Sequence, residues 1–128
     1  MRSLLDTHAF LWWDGEPERL TERALEALAD RSNEVLLSVA SLWEIQIKME
    51  IGKLRLEVPL FEMVSDEEVA NRLTLLPISA AHVLALDRLP VTHRDPFDRI
   101  LAAQALVEAG FLLTRDPAFG AFPVQTFW

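Results

Sequence analysis

Four acidic residues stand where a carboxylate could meet a metal ion. They are Asp6 in Leu-Leu-Asp-Thr-His, Glu44 in Ser-Leu-Trp-Glu-Ile-Gln-Ile-Lys, Asp98 in His-Arg-Asp-Pro-Phe-Asp-Arg and Asp116 in Leu-Leu-Thr-Arg-Asp-Pro. Carboxylate oxygens suit hard cations such as Mg²⁺ and Mn²⁺, which also retain water. Two such ions about 4 Å apart can activate a water and stabilise the leaving oxygen of a phosphodiester. Each acid also has a plainer reading. Asp6 and Asp116 fit turns or helix caps after a strand. Glu44 sits among Leu42, Trp43, Ile45 and Ile47, and Lys48 four residues on offers a helix-surface pair. Asp95 and Asp98 fit a helix start, one as its cap and the other against its positive end. Weight therefore rests on the set. Crowded carboxylates repel one another unless a cation or proton intervenes.

The elements that must position these acids can be read from the same chain. Arg2 to Leu5 is a short apolar strand, with Asp6 at its carboxyl end. Thr21 can cap a helix to about Arg31, with Leu20, Leu25 and Leu28 on one face. Glu34 to Ser38 reads as a buried strand, and Ser38 or Ser41 can cap a helix to about Ile51, closed by Gly52. Pro59 suits the first position of a helix to about Leu73. Leu75 to Ile78 is extended, and Ser79 caps a helix through about Leu86. Asp95-Pro96 opens a helix that runs to Ala109 and stops at Gly110. Phe111 to Thr114 is a strand, Asp116 follows it, and Val124 to Phe127 is a last strand.

Strands alternating with helices predict an α/β fold: a central parallel sheet flanked by helices on both faces. Such sheets place their sites beyond the carboxyl ends of the strands. If the strands before Asp6 and Asp116 are central, both carboxylates emerge on one edge. With 128 residues, no repeat and no linker-like stretch, residues 1–128 read as a single domain.

Composition narrows the function classes. Apolar residues make up 51% of the chain, which excludes a disordered segment. There is no cysteine, so neither a disulfide scaffold nor a thiolate metal site is available. No apolar run approaches the roughly 20 residues of a membrane span. Asp6 interrupts the apolar start, as a secretion signal would not, and cytoplasmic residence is the expectation. The net charge of −8 opposes a nucleic-acid partner, although two bound divalent cations would halve it. Ten of the twelve basic residues are Arg, the better bidentate phosphate ligand.

Four segments then carry a family resemblance: Leu4-Leu-Asp-Thr-His8, Ser38-Val-Ala-Ser-Leu-Trp-Glu-Ile45, His93-Arg-Asp-Pro-Phe-Asp-Arg-Ile-Leu-Ala-Ala-Gln-Ala105 and Thr114-Arg-Asp-Pro-Ala-Phe119. In order and spacing they resemble the PIN-domain family, and within it the VapC-type toxins of bacterial toxin–antitoxin pairs. The resemblance implies a PIN-like fold and an endoribonuclease that uses metal-activated water, leaving a 5′-phosphate and a 3′-hydroxyl. It implies one or two Mg²⁺ or Mn²⁺ ions held by Asp6, Glu44, Asp98 and Asp116. The third acid of the family precedes an Ile/Leu-Ala-Ala stretch, which favours Asp98 over Asp95. Asp95 is then a helix cap or an outer group, and Thr7 and Thr114 are supporting polar residues. An RNA substrate, a cognate VapB-like antitoxin and a homodimer are the implied partners, with no membrane.

Arg94, Arg99 and Arg115 flank the acids and divide between phosphate contact and ordinary surface charge. His8, His82 and His93 match no histidine metal motif, and His93, beside the acids, is the best exception. Trp12 and Trp13 are adjacent and cannot point the same way, so one is expected to be exposed, as on a dimer or antitoxin surface. Rival readings are a PIN nuclease of RNA processing and a non-catalytic α/β binding module. A receiver module would need an Asp after the strand ending at Ser38 and a late Lys, and the chain has neither. A phosphatase of the Asp-x-Asp type would need an acid where His8 stands.

Overall fold

The computed structural model describes residues 1–128. Five strands form one sheet: β1 (Arg2–Leu5), β2 (Glu34–Ser38), β3 (Thr74–Leu76), β4 (Phe111–Leu113) and β5 (Gln125–Phe127). Their order is β3-β2-β1-β4-β5, and every neighbouring pair is parallel. Six helices accompany them: α1 (Thr7–Gly15), α2 (Glu22–Ala29), α3 (Val39–Glu50), α4 (Leu60–Asn71), α5 (Ala80–Leu84) and α6 (Pro96–Val107). This is the α/β class expected from the alternation of strands and helices. No helix is long and apolar enough to cross a membrane.

The period of two in the strands divides the core between the two faces. Leu5, Leu37 and Leu113 lie side by side and pack with Ala9, Phe10, Leu28, Ile45 and Met63 from α1 to α4. Leu4, Leu36 and Leu112, one residue earlier, face the other way and pack with α6 and with Phe119 and Phe122. Ala102, Ala103 and Ala105 of α6 are all but fully buried, so small side chains seat this helix close to the sheet.

Several expected elements shift in instructive ways. The helix opening at Thr7, directly after β1, has no counterpart in the sequence reading. Pro59 lies one residue ahead of α4, at its cap position. The helix after Ser79 ends at Leu84 and tightens into a 3-10 turn over Ala85–Arg88. At the end of α6 the left-handed residue is Ala109 (φ 54°), not Gly110. Gly110 answers a different demand, because a Cβ there would stand 3.1 Å from the Arg2 carbonyl oxygen. Trp12 and Trp13 are both half-buried against the core, and the exposed tryptophan is Trp43 at 62%. The expectation of an exposed residue in the Trp12-Trp13 pair is corrected: α1 lies on the sheet and offers both rings some cover.

Candidate active site

Two strand ends build one half of the acidic cluster. Asp6 is the single residue between β1 and α1. Its N–H still donates to the Leu113 carbonyl (3.1 Å), so the sheet ladder fixes its backbone. Its Oδ1 accepts from the Ala9 N–H (2.7 Å) and caps α1. Its Oδ2 accepts from the Thr114 hydroxyl at 2.5 Å. Thr114 extends β4, donating its own N–H to the Phe127 carbonyl (3.0 Å). Thr114 Oγ1 also accepts from the Asp116 N–H (3.0 Å). One buried hydroxyl therefore ties both strand ends together. Asp116 Oδ1 accepts from the Ala118 N–H (2.9 Å), capping the 3-10 turn Pro117–Ala121.

Two helices build the other half. On α3, Glu44 Oε1 accepts from the Thr7 hydroxyl (2.6 Å), and its Oε2 meets Lys48 Nζ at 3.0 Å. Thr7 Oγ1 also lies 3.0 Å from Ser41 Oγ. Thr7 has one hydroxyl proton and the carboxylate is the stronger acceptor, so Ser41 donates to Thr7 and Thr7 donates to Glu44. Asp95 caps α6 by accepting from the Phe97 and Asp98 N–H groups (2.9 and 3.0 Å). Asp98 Oδ2 lies 2.8 Å from His93 Nε2, a ring that packs edge-on against Phe122.

Asp6, Thr7, Glu44, Asp95, Asp98 and Asp116 all line one cavity of about 220 Å³, with His8, Lys48 and Phe119 completing the wall. Thr114 lies behind it, buried under Asp6. Size does not single this cavity out. Clefts of about 590 Å³ beside Asp30 and Arg72, and about 850 Å³ beside Trp12 and Lys53, are roomier. What singles it out is the convergence of carboxylates from two strand ends and two helices.

Burial pushes the pKa of Asp6 above the ordinary carboxylate range. The Thr114 and Ala9 hydrogen bonds pull it back, and the charge of Asp116 adds to the rise. Asp98 is raised too, first by burial, then by the charges of Asp95 and Glu44, against the opposing His93 hydrogen bond. In both acids burial is the first cause, and a neighbouring carboxylate adds to it. Their oxygens are not drawn into a ready-made cage, since no three donors sit tightly enough to hold an ion as they stand. Each carboxylate leans on its own protein partner instead: Asp6 on Thr114, Glu44 on Thr7 and Lys48, Asp98 on His93, Asp116 on Ala118. The all-oxygen donor set and the like-charge crowding nonetheless suit a hard divalent cation.

The three arginines fall apart. Arg99 donates to the carbonyls of Pro90 (2.6 Å), His93 (3.1 Å) and Leu86 (3.2 Å), which makes it a staple of the loop before α6. Arg94 is exposed. Arg115 is exposed beside the acids, with its guanidinium 4.8 Å from the Trp12 ring centre. Sequence reasoning missed Ser41, a buried hydroxyl whose contact with Thr7 exists only in the folded chain. It left the role of His93 open because His93 stands outside the helix that carries Asp98.

The sequence model of the PIN domain matches residues 3–124, nearly the whole chain and all four acids. The chain belongs to the PIN domain family. A curated relative, ribonuclease VapC22 of Mycobacterium tuberculosis, is 27% identical over 114 residues, covering 88% of this chain and 85% of that one. Among solved structures, this PIN domain resembles VapBC2 from Rickettsia felis bound to a DNA fragment from its promoter. The TM-score is 0.73 at 20% identity, over 99% of this chain and 98% of that chain. It is equally similar to DNA-bound VapBC from Salmonella typhimurium, with a TM-score of 0.73 at 17% identity over 99% and 97% of the chains. At such identities the structural likeness speaks for the PIN fold, in which Asp6 and Asp116 follow neighbouring central strands.

Proposed function

We propose that this PIN domain is a Mg²⁺- or Mn²⁺-dependent endoribonuclease and the toxin of a toxin–antitoxin pair. The reading is carried by one observation: Asp6, Glu44, Asp98 and Asp116, far apart in sequence, line one cavity. It is supported by the name of the mycobacterial relative, a ribonuclease, and by the VapBC complexes among the structural neighbours.

In this reading Asp6, Glu44, Asp98 and Asp116 are the cation ligands. When bound, the divalent ion supplies an activated water and neutralises charge on the scissile phosphodiester. The chain's own work is positioning. Thr114 aims Asp6 and steadies the loop of Asp116, Thr7 aims Glu44, and Asp95 anchors the start of α6 so that Asp98 faces the cavity. Lys48 and His93 hold Glu44 and Asp98 until a cation competes for them.

Purified protein with Mg²⁺ or Mn²⁺ should cut single-stranded or looped RNA, leaving 5′-phosphate ends, and a chelator should stop it. Asp6→Asn and Asp116→Asn should each lower cleavage at least about a hundredfold, as loss of a metal-site group does, with an unchanged far-ultraviolet circular dichroism spectrum. Undiminished cutting by either variant defeats the assignment. No heat of binding with Mn²⁺ would favour the non-catalytic module. The partner proposal predicts that a small DNA-binding protein from the neighbouring reading frame binds this chain and suppresses cleavage. Cleavage that no such protein restrains would favour an RNA-processing role. A homodimer is the proposed state in solution, and light scattering tests it.

A further inference from the structure

Beside the acids lies a second hollow, of about 310 Å³, that shares Asp6, His8 and Asp116 with the first and adds Trp12, Arg115 and Pro117. To the shared acids it adds a guanidinium and an indole ring. The His8 ring lies 5.6 Å from Trp12, one helical turn away on α1. The Arg115 guanidinium lies 4.8 Å from the same ring, and Trp128 meets it edge-on at 6.0 Å. Arg19 also reaches Trp12, at 5.4 Å, but its charge is matched by Glu16. Arg115 has no carboxylate partner, although Asp6 and Asp116 line the same hollow. It rests on the tryptophan instead, its donors free toward solvent.

A chain of charge −8 whose cavity is ringed with acids repels a polyanion. RNA that approaches those acids needs a foothold just outside them. Planar side chains stack single-stranded bases whatever their identity, and a guanidinium can stack and also hold a phosphate. We infer that Trp12, His8 and Arg115 form a nucleotide subsite that stacks one base, and holds the adjoining phosphate, of a single-stranded RNA whose scissile bond lies at the acids. The inference rests on the nuclease reading for its substrate, but it is read by binding, which needs no cleavage.

The experiment uses the full chain carrying Asp98→Asn, a change at a residue that lines the acid cavity but not this hollow, so that RNA stays uncut. The probe is a fluorescein-labelled single-stranded oligouridylate in Mg²⁺ buffer. Arg115→Gln should weaken binding about tenfold and lower the slope of log affinity against log salt by about 0.7, the loss of one phosphate contact on a single strand. Trp12→Leu should weaken binding about tenfold, as the loss of one stacked base does, and leave the salt slope unchanged. In the cleaving chain, Arg115→Gln should raise KM and spare kcat, because the contact is made away from the reacting bond. If Trp12→Leu does not fold, the exposed Arg115→Gln carries the test, and Trp12→Phe should keep most of the affinity. Unchanged affinity in both Arg115→Gln and Trp12→Leu overturns the subsite, as does the absence of oligouridylate binding by the parent chain. Normal RNA affinity with lost self-association or antitoxin binding in Trp12→Leu also overturns it, assigning the ring to a protein contact. Failure of the wild-type chain to cut RNA, with the binding losses intact, defeats the nuclease reading alone.

Discussion

The two halves of the acidic site are held by different means. On the strand side, Asp6 is fixed by a sheet hydrogen bond, a helix cap and a buried threonine hydroxyl, and Asp116 is tied to that same hydroxyl. On the helix side, Glu44 has the Thr7 hydroxyl and Lys48, Asp98 has His93, and Lys48 and His93 are partly open to solvent. The strand side is therefore preset by backbone geometry. The helix side leans further on two side chains, Lys48 and His93, that a cation would displace. A neutral hydroxyl that hydrogen-bonds a ligand orients it and favours binding, whereas a cationic partner such as Lys48 competes with the ion. The two kinds of partner should then respond to mutation with opposite signs.

Among the groups that orient the acids, the largest effect should come from Thr114→Val, which removes the one hydroxyl joining the strand ends. Mn²⁺ affinity and cleavage should each fall about 10- to 100-fold. Calorimetry and turnover of labelled RNA read this, and an unaltered affinity would erase the distinction between the halves. Lys48→Met should act the other way, tightening Mn²⁺ by about two- to fivefold as the half-buried ion pair disappears. A weaker Mn²⁺ affinity would show that Lys48 orients Glu44 rather than competing for it.

The pH dependence is a third probe. Cation ligands must be deprotonated. Asp6 and Asp98 both carry raised pKa values, so the acid limb of kcat/KM should lie above the ordinary carboxylate range. Thr114→Val removes a bond that lowers the Asp6 pKa and should move the limb further toward alkaline pH. A limb at the value of free aspartate contradicts this.

The smallest effect concerns stability. A carboxyl with a raised folded pKa favours the folded state at acid pH, and that contribution is lost as pH rises through the folded value. Ionised Asp6 therefore weakens the metal-free fold at neutral pH. Asp6→Asn, which keeps a good helix cap, should raise the metal-free melting temperature by a few degrees at pH 7 and by less near pH 4. Equal shifts at both pH values would remove the electrostatic cause.

The strand half was legible in the sequence because its signals are local. A short apolar run followed by Asp fixes both the strand and the position of the acid at its end. Asp95-Pro96 and Ser38 likewise announce the helices that bear Asp98 and Glu44. The helix α1 was not legible, since Ala9-Phe10-Leu11-Trp12-Trp13 is apolar throughout and has no period of 3.6 to betray it. The His93–Asp98 pairing was hidden for another reason: the partner lies in a loop whose path is set by Arg99 and three carbonyls. Such a path depends on distant packing, and spacing carries no trace of it. The end of α6 was legible as a place but not as a residue. The left-handed turn falls on Ala109, and Gly110 answers the close approach of the first strand.

The alanine seam of α6 bears on all of this. Because Ala102 and Ala103 are fully buried in one cluster with Leu4, Leu36 and Leu112 of the sheet, how far Asp98 stands from the two strand-end acids depends on side-chain size at these positions. A bulkier residue there would lift the whole helix like a shim under a hinge. The gap between carboxylates would widen while every acid stayed in place along the chain, so the smallest side chains in the protein act as its gauge.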